Sequence, residues 1–275
     1  MEEEQVPFLF EQDLFADVFK RMLVLWKQEF LPQITRPVRR NYSQVSVAVT
    51  GSVDKGLLRE FFDAVASSKT LRVLHFYPSD NCFDEVADGV ASVVKRTTTL
   101  KVVQNLMHVE EGCEQQLLRV LDALKENRSV INFTMYVELL TPEIATSLSE
   151  LLAVNDALRD VEVCGYWGIR PEEVETILGG LRKNHTLTGI MVTWDGNGDA
   201  QEGLDEMEEL LKRNARLLDQ AVSFVTGDCT NTETADAARI LRDSAGLVEK
   251  LEELTGKTEE AVLWDIETAV SGLSK

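Results

Sequence analysis

The sequence predicts an α/β solenoid in which short parallel strands and helices alternate in units of about 29 residues. Three observations carry this. A loose motif recurs as LKENRSVINFTM from Leu124, LAVNDALRDVEV from Leu152, LRKNHTLTGIMV from Leu181 and LKRNARLLDQAV from Leu211. Each copy has a leucine, an asparagine three residues on, and a second apolar residue three further. The apolar residues that open the next run, Val45, Leu71, Leu100, Val130, Leu158, Leu187 and Leu217, follow at intervals of 26, 29, 30, 28, 29 and 30. The last apolar residue of the preceding segment (Val65, Val94, Leu124, Leu152, Leu181, Leu211) always lies six residues before its opening residue. Finally, the hydrophobic period changes inside each unit from two to that of a helix. A steady period with a constant junction marks stacked units that bury their apolar faces against neighbours.

In chain order, Phe15, Val18, Phe19, Met22, Leu25 and Trp26 form a helical stripe that ends before Pro32. It is expected to cover the first strand, whose edge would otherwise be open. Its rival role is a docking helix such as a degenerate F-box, although the Leu-Pro opening is missing. The basic cluster RPVRRNY, Arg36 to Tyr42, reads as a linker. Strands follow with apolar residues at +0, +3 and +5 of each run: Leu71, Leu74, Phe76; Val130, Phe133, Met135; Leu158, Val161, Val163; Leu187, Ile190, Val192. Alternation with β-branched residues suits a short strand. Val86, Val90, Val93, Val94 and Ile144, Leu148, Leu151, Leu152 have the spacing of a helix packed on one face. The motif asparagines fall in the return turns, where an amide can satisfy backbone groups or tolerate a left-handed conformation. At the far end Ala238, Leu241, Ala245, Val248 and Leu251 mark one helix stopping near Gly256, and Thr258 can cap a second carrying Val262, Ile266, Ala269 and Leu273. The division expected is a helical cap and linker over 1–41, a solenoid of six or seven repeats over 42–225, and a two-helix cap over 226–275.

The LxxLxL runs, the helix spacing and NxxL together resemble the leucine-rich repeats of the ribonuclease-inhibitor type. Such repeats form the sensing end of NACHT-containing innate-immune receptors, the NLR family, and the body of the Ran GTPase-activating proteins. The resemblance implies a horseshoe with a parallel inner sheet, outer helices and helical caps at both ends. There are departures. The asparagine the family has at +8 is replaced by Ser79, His108, Glu138, Tyr166 and Asp195, and Asn105 stands at an apolar +5 position. The loop ladder must therefore differ from the family's.

Composition narrows the function. With 275 residues, 44% of them hydrophobic, the chain can bury a sizeable core. Its 28 Lys+Arg against 47 Asp+Glu give a formal charge of −19, which repels nucleic acid and anionic membranes and favours a neutral or basic protein partner. The start MEEEQVPFLF lacks the basic region of a secretory signal, and no apolar run approaches the roughly 18 residues of a membrane span. Cys82, Cys113, Cys164 and Cys229 form no CxxC pair and read as reduced, mostly buried thiols of a cytoplasmic protein. The sequons at Asn41, Asn127, Asn132 and Asn184 carry little weight in that setting.

Catalysis has little support. His75, His108 and His185 lie in three different units, and neither a nucleophile motif nor a GxxxxGK[ST] phosphate loop is present. His75 and His108 fall on neighbouring strands, but two ligands do not make a metal site. DGNGDAQEGLDE places Asp195, Asn197, Asp199 and Glu206 at the oxygen positions of an EF-hand loop, yet Ala200 stands where the turn wants glycine and a strand is expected before the loop. A solvated turn with an acidic first helical turn explains the same residues. No enzyme activity, cofactor or metal is therefore expected.

Binding is the function that remains. With +0, +3 and +5 facing inward, +2, +4 and nearby positions line the concave sheet, and +6 to +9 form its rim. These columns collect His75, Tyr77, Gln104, Leu106, Thr134, Tyr136, Glu162, Tyr166, Trp167, Met191 and Trp194, with Tyr and Trp as anchors. The aromatics can equally plug the gaps left by the missing asparagines. The function expected is a non-enzymatic protein-interaction scaffold, an NLR-like sensor or adaptor. The alternatives are a GTPase-activating protein of the Ran-activating type or a substrate adaptor of a ubiquitin ligase. Sequence leaves the oligomeric state open.

Overall fold

The computed structural model describes residues 43–48, 54–77, 83–109, 114–137, 139–165, 169–192, 200–227 and 231–272. Outside them lie the Phe15 to Trp26 stripe, the Arg36 to Tyr42 linker, Cys82, Cys113 and Cys229, Tyr166, Trp167 and Trp194, Leu273, and Asp195, Asn197 and Asp199 of the calcium-like loop. For Tyr77 and Leu106 the description extends to their strand positions.

Strands and helices alternate as the hydrophobic period requires: β1 Gln44–Ala48, α1 Lys55–Ser67, β2 Val73–Tyr77, α2 Phe83–Arg96, β3 Val102–Val109, α3 Glu114–Glu126, β4 Asn132–Val137, α4 Pro142–Val154, β5 Asp160–Gly165, α5 Pro171–Leu181, β6 Gly189–Val192 and α6 Gln201–Thr226. Three short helices follow, α7 Thr232–Ile240, α8 Ala245–Thr255 and α9 Glu259–Gly272. The six strands make one parallel sheet in sequence order. This is a leucine-rich-repeat-like α/β solenoid, each helix crossing back to start the next strand beside the last.

Local chemistry sets the helix starts. Asp54 accepts from the Leu57 amide at 2.9 Å and caps α1. Thr141 caps α4 with Pro142 at its first position, and Pro171 opens α5, where a missing N–H costs nothing. In α2, Asp84 and Glu85 occupy the first turn and Lys95 and Arg96 the last, matching the helix dipole.

The core lies between sheet and helices. The +0 residues Leu71, Leu100, Val130, Leu158 and Leu187 and the +3 residues Leu74, Val103, Phe133 and Val161 are all at most 2% exposed. They pack on helix residues such as Phe61, Val90, Leu121, Leu148 and Leu178 in one continuous cluster.

At the return turns a ladder runs from repeat to repeat. Asn155 accepts from the Ala157 and Leu158 amides with Oδ1, and its Nδ2 donates to the carbonyls of Leu124 and Asn127 in the repeat before. Asn127 does the same for Ser129 and Val130 and for Val94 and Thr97, and Asn184 for Thr186 and Leu187 and for Leu152 and Asn155. Thr97 and Ser68 hold the same position one and two repeats before Asn127, accepting from Leu100 and Leu71. The backbone-satisfying role expected of the asparagines is thus observed at Asn127, Asn155 and Asn184, whereas Asn214 lies not in a return turn but inside α6, where its Nδ2 donates to the Leu187 carbonyl.

Three expectations change. In the first unit Val45 pairs with Leu74, not Leu71, so Val45 is a +3 residue and the spacing there is 29 rather than 26. Both columns are apolar and inward, so hydropathy alone cannot tell them apart. The unit opening at Leu217 forms no strand, because α6 runs unbroken from Gln201 to Thr226. Gln220 holds its +3 position, where an inward apolar residue is needed, and Met207, Leu218, Ala221 and Phe224 bury a helical stripe instead. The stripe from Ala238 to Leu251 is two helices, α7 and α8, broken at Leu241–Ser244, so the segment after α6 holds three helices and not two. The stop at Gly256 is as expected, with φ of 66° in the left-handed region.

Helix α6 serves two cores. Its first half contributes Met207 to the solenoid, while Leu218, Ala221 and Phe224 join Ala238, Leu241, Leu247, Leu251, Val262 and Ile266 in a second cluster.

Candidate functional site

Strand register builds the candidate site. Ser46, His75, Gln104, Thr134, Glu162 and Met191 pair in succession across all six strands, forming one row on the face opposite the core. One pleat earlier runs a second row on the same face: Gln44, Val73, Val102, Asn132, Asp160 and Gly189. Five sequence-selected residues, His75, Gln104, Thr134, Glu162 and Met191, are therefore brought together.

The rows are cross-linked by side chains. Ser46 Oγ hydrogen-bonds His75 Nδ1 at 3.1 Å, and burial lowers the His75 pKa, keeping the ring neutral at pH 7. Thr134 Oγ1 donates to Glu162 Oε2 at 3.1 Å. With its amide turned toward Asp160, Asn132 donates to Asp160 Oδ2 at 3.2 Å. A Cβ at Gly189 would lie 2.4 Å from Asp160 Oδ1, so any larger residue there would have to displace that carboxylate. Burial raises the Asp160 pKa, opposed by the attraction of Arg159. Over the last four strands these residues line a depression of about 340 Å³ formed by Val102, Gln104, Asn132, Thr134, Asp160, Glu162, Gly189 and Met191. Met191, 55% exposed, stands at its side. The chemistry available is two carboxylates, amide and hydroxyl groups, and a flexible thioether.

Sequence reasoning selected the +4 row and passed over the +2 residues Asn132, Asp160 and Gly189. The period of two places +2 on the same face and could have found them. Leu106 is a correction. Register passes from Asn105 opposite Met135 to His108 opposite Tyr136, so Leu106 lies in a β-bulge and His108 takes the position expected of it. A bulge of this kind adds residues without altering hydropathy. Tyr77 pairs with Ala48 at the end of β2, while Tyr136, half-buried, stands one residue before the end of β4 and pairs with Cys164.

The register sets His75 beside Gln104, not beside His108. Among the described residues no group of three or more His, Cys, Asp or Glu is placed to hold a metal. Glu206, the twelfth residue of the calcium-like loop, accepts instead from Arg182 at 2.7 Å. No described helix is long and apolar enough to cross a membrane.

The outer surface is arranged differently. Cross-helix ion pairs link α1 to α2 (Lys55 with Glu85, Arg96 with Asp63), α2 to α3 (Arg119 with Asp84 and Asp88) and α3 to α4 (Lys125 with Glu150). Basic side chains are thereby engaged on the convex face, while Asp160 and Glu162 sit on the concave one.

No protein-family model and no curated protein sequence matches the chain. Among solved structures the chain is similar to leiomodin-1 actin-binding site 2, at 16% identity over 68% of this chain and 94% of that one, with a TM-score of 0.40. It is also similar to the tropomodulin C-terminal domain of Caenorhabditis elegans, at 14% identity over 68% and 96%, with a TM-score of 0.41. Likeness at this level says nothing about what the present chain binds.

Proposed function

We propose that this chain is a non-enzymatic protein-binding solenoid, a cytoplasmic adaptor or sensor that receives a neutral or basic segment of a partner protein on its concave face. One observation supports this above the others. The six-strand row Ser46, His75, Gln104, Thr134, Glu162, Met191, with Asn132, Asp160 and Gly189 beside it, makes a continuous surface of hydrogen-bonding groups, two carboxylates and an exposed methionine. A neighbouring strand lies every 4.8 Å or so, the spacing at which an extended segment can lay successive groups along the row. Asp160 and Glu162 raise the association rate of a basic segment more than they add to its final affinity. Among leucine-rich repeats the ribonuclease-inhibitor type fits best, because α1 to α5 are full helices of 11 to 14 residues.

Proximity labelling in cells supplies candidate partners, which are then bound in vitro to wild type, Met191→Ala, Glu162→Gln and an outer-helix control, Glu175→Ala. Met191→Ala and Glu162→Gln are expected to weaken binding by about 1–2 kcal/mol each, with the control near neutral. Equal binding by all four proteins would move the partner site off the concave face.

A further inference from the structure

The two concave rows carry charge that they do not themselves balance. Their residues include two carboxylates, Asp160 and Glu162, and no lysine or arginine, while the one histidine, His75, is held neutral by burial. On the convex face, by contrast, cations sit against the acids of neighbouring helices. Asp160 forms no ion pair among the described residues, and Arg159, its neighbour in sequence, is paired instead with Glu249 of α8 at 3.5 Å. Burial outweighs the attraction of Arg159 and holds the Asp160 carboxyl above its ordinary value, so a cation brought to this group would favour its charged form.

Both carboxylates belong to one depression. Asp160 and Glu162 are two residues apart on β5 and so share a face, roughly 6.6 Å apart along the strand. The depression they line is about 340 Å³, near the lower end of the 300–1,000 Å³ or so of small-molecule sites, and has room for one side chain but not for a helix. Asn132 donates to Asp160 Oδ2 from the β4 side, while Oδ1 lies toward Gly189, which has no side chain to cover it. Val102 on β3 and the exposed Met191 on β6 add apolar surface at either side.

We propose that this depression seats a single arginine side chain of the bound segment, its guanidinium spanning Asp160 and Glu162 and its methylenes lying against Met191. The inference rests on the concave-face reading above and adds to it the residue type that is recognised. Arginine fits better than lysine, because a planar fork of five donors can serve two carboxylates set apart along a strand, whereas an ammonium is a compact and more strongly hydrated point charge. The flexible thioether of Met191 can follow the apolar stem. A divalent cation is a poorer occupant, since among the described residues no third His, Cys, Asp or Glu joins the two carboxylates.

The test uses full-length protein carrying carbon-13 at its methionine methyls and the acetylated, amidated peptide Gly-Ser-Arg-Ser-Gly. The Met191 methyl signal, assigned by its loss in Met191→Leu, is followed by NMR during titration. A saturable shift is expected, with the lysine peptide binding several-fold more weakly and the citrulline peptide, which keeps the shape but not the charge, producing no saturation. Asp160→Asn/Glu162→Gln should weaken binding about tenfold or more. Gly189→Ala should also weaken it, although no charge is removed, because its Cβ displaces the Asp160 carboxylate. Far-UV circular dichroism confirms that each variant keeps its fold. The proposal is overturned by absence of a saturable Met191 shift, by equal affinity for the arginine and lysine peptides, or by unchanged binding in the double variant. Partners found by proximity labelling keep it distinct from the reading it rests on. A partner weakened by Glu162→Gln but unaffected when its own arginines become lysines would retain the concave-face reading and overturn the arginine seat. A partner indifferent to every concave variant would overturn the concave-face reading, whatever the peptide does.

Discussion

Truncating Asn155 to alanine should remove a rung that ties two repeats together. The side chain is 2% exposed and makes four hydrogen bonds, donating to the Leu124 and Asn127 carbonyls at 2.7 and 2.9 Å and accepting from the Ala157 and Leu158 amides at 2.9 and 2.8 Å. Alanine leaves two buried N–H groups without these partners, and a buried unpaired polar group costs about 1–3 kcal/mol, so the amides alone put the loss at about 2–6 kcal/mol. The carbonyls add less, because the Leu124 oxygen still accepts from the Asn127 amide at 3.2 Å. A loss of about 4 kcal/mol is expected, a large share of the 5–15 kcal/mol or so that holds a domain together. Asn155→Ser should recover about half of it, since a hydroxyl can still accept from the turn amides, as Ser68 does from Leu71. Ser68→Ala, which removes an acceptor but no cross-repeat amide donor, should cost only about 1–2 kcal/mol. Urea denaturation followed by circular dichroism measures all three, provided the m-value is unchanged. A loss below about 1 kcal/mol for Asn155→Ala, or one no larger than that of Ser68→Ala, would refute the reasoning.

Other consequences concern packing and pH. A Cβ on Gly180 would lie 2.0 Å from the Ser149 carbonyl oxygen, so Gly180→Ala should force α4 and α5 apart and cost about 1–3 kcal/mol or more in thermal or chemical denaturation. Gly179→Ala, whose nearest neighbour would be Ser149 Oγ at 3.7 Å, should be neutral or slightly stabilising. Burial holds the Glu249 carboxyl above its ordinary value of 4.5, despite the attraction of Arg159 and Lys101, and Glu253 and Glu252 push the same way as burial. The folded pKa exceeds the unfolded one, so this contribution to stability is lost as pH rises through it. Glu249→Gln should therefore melt higher than wild type at pH 7, with the gap closing below pH 4.5; a pH-independent gap would falsify this. For His75 burial lowers the pKa from 6.5, so protonation is penalised in the fold and stability falls as pH drops through 6.5. His75→Gln should flatten that part of the melting profile.

The repeating α/β architecture was legible because burial imposes itself on sequence directly. Leu71, Leu100, Val130, Leu158 and Leu187 must all be apolar to stack, and the junction before them must keep one length for each helix to reach the next strand. The role of the asparagines followed from the same turns, since amides there have few other partners. Hydropathy was blind to choices between positions that satisfy it equally. Val45 fits the +0 and the +3 column alike, and strand pairing alone placed it opposite Leu74. At Leu217 the strand spacing competes with a helical stripe through Leu218, Ala221 and Phe224, and contacts with the terminal core decided for the helix. The bulge in β3 moved His108, not Leu106, opposite Tyr136, because added residues shift a register without leaving a compositional trace. Asp160 gained its place beside Gly189 in the same way: sequence determined which faces exist, while cross-strand pairing of residues 29 apart decided which side chains share them.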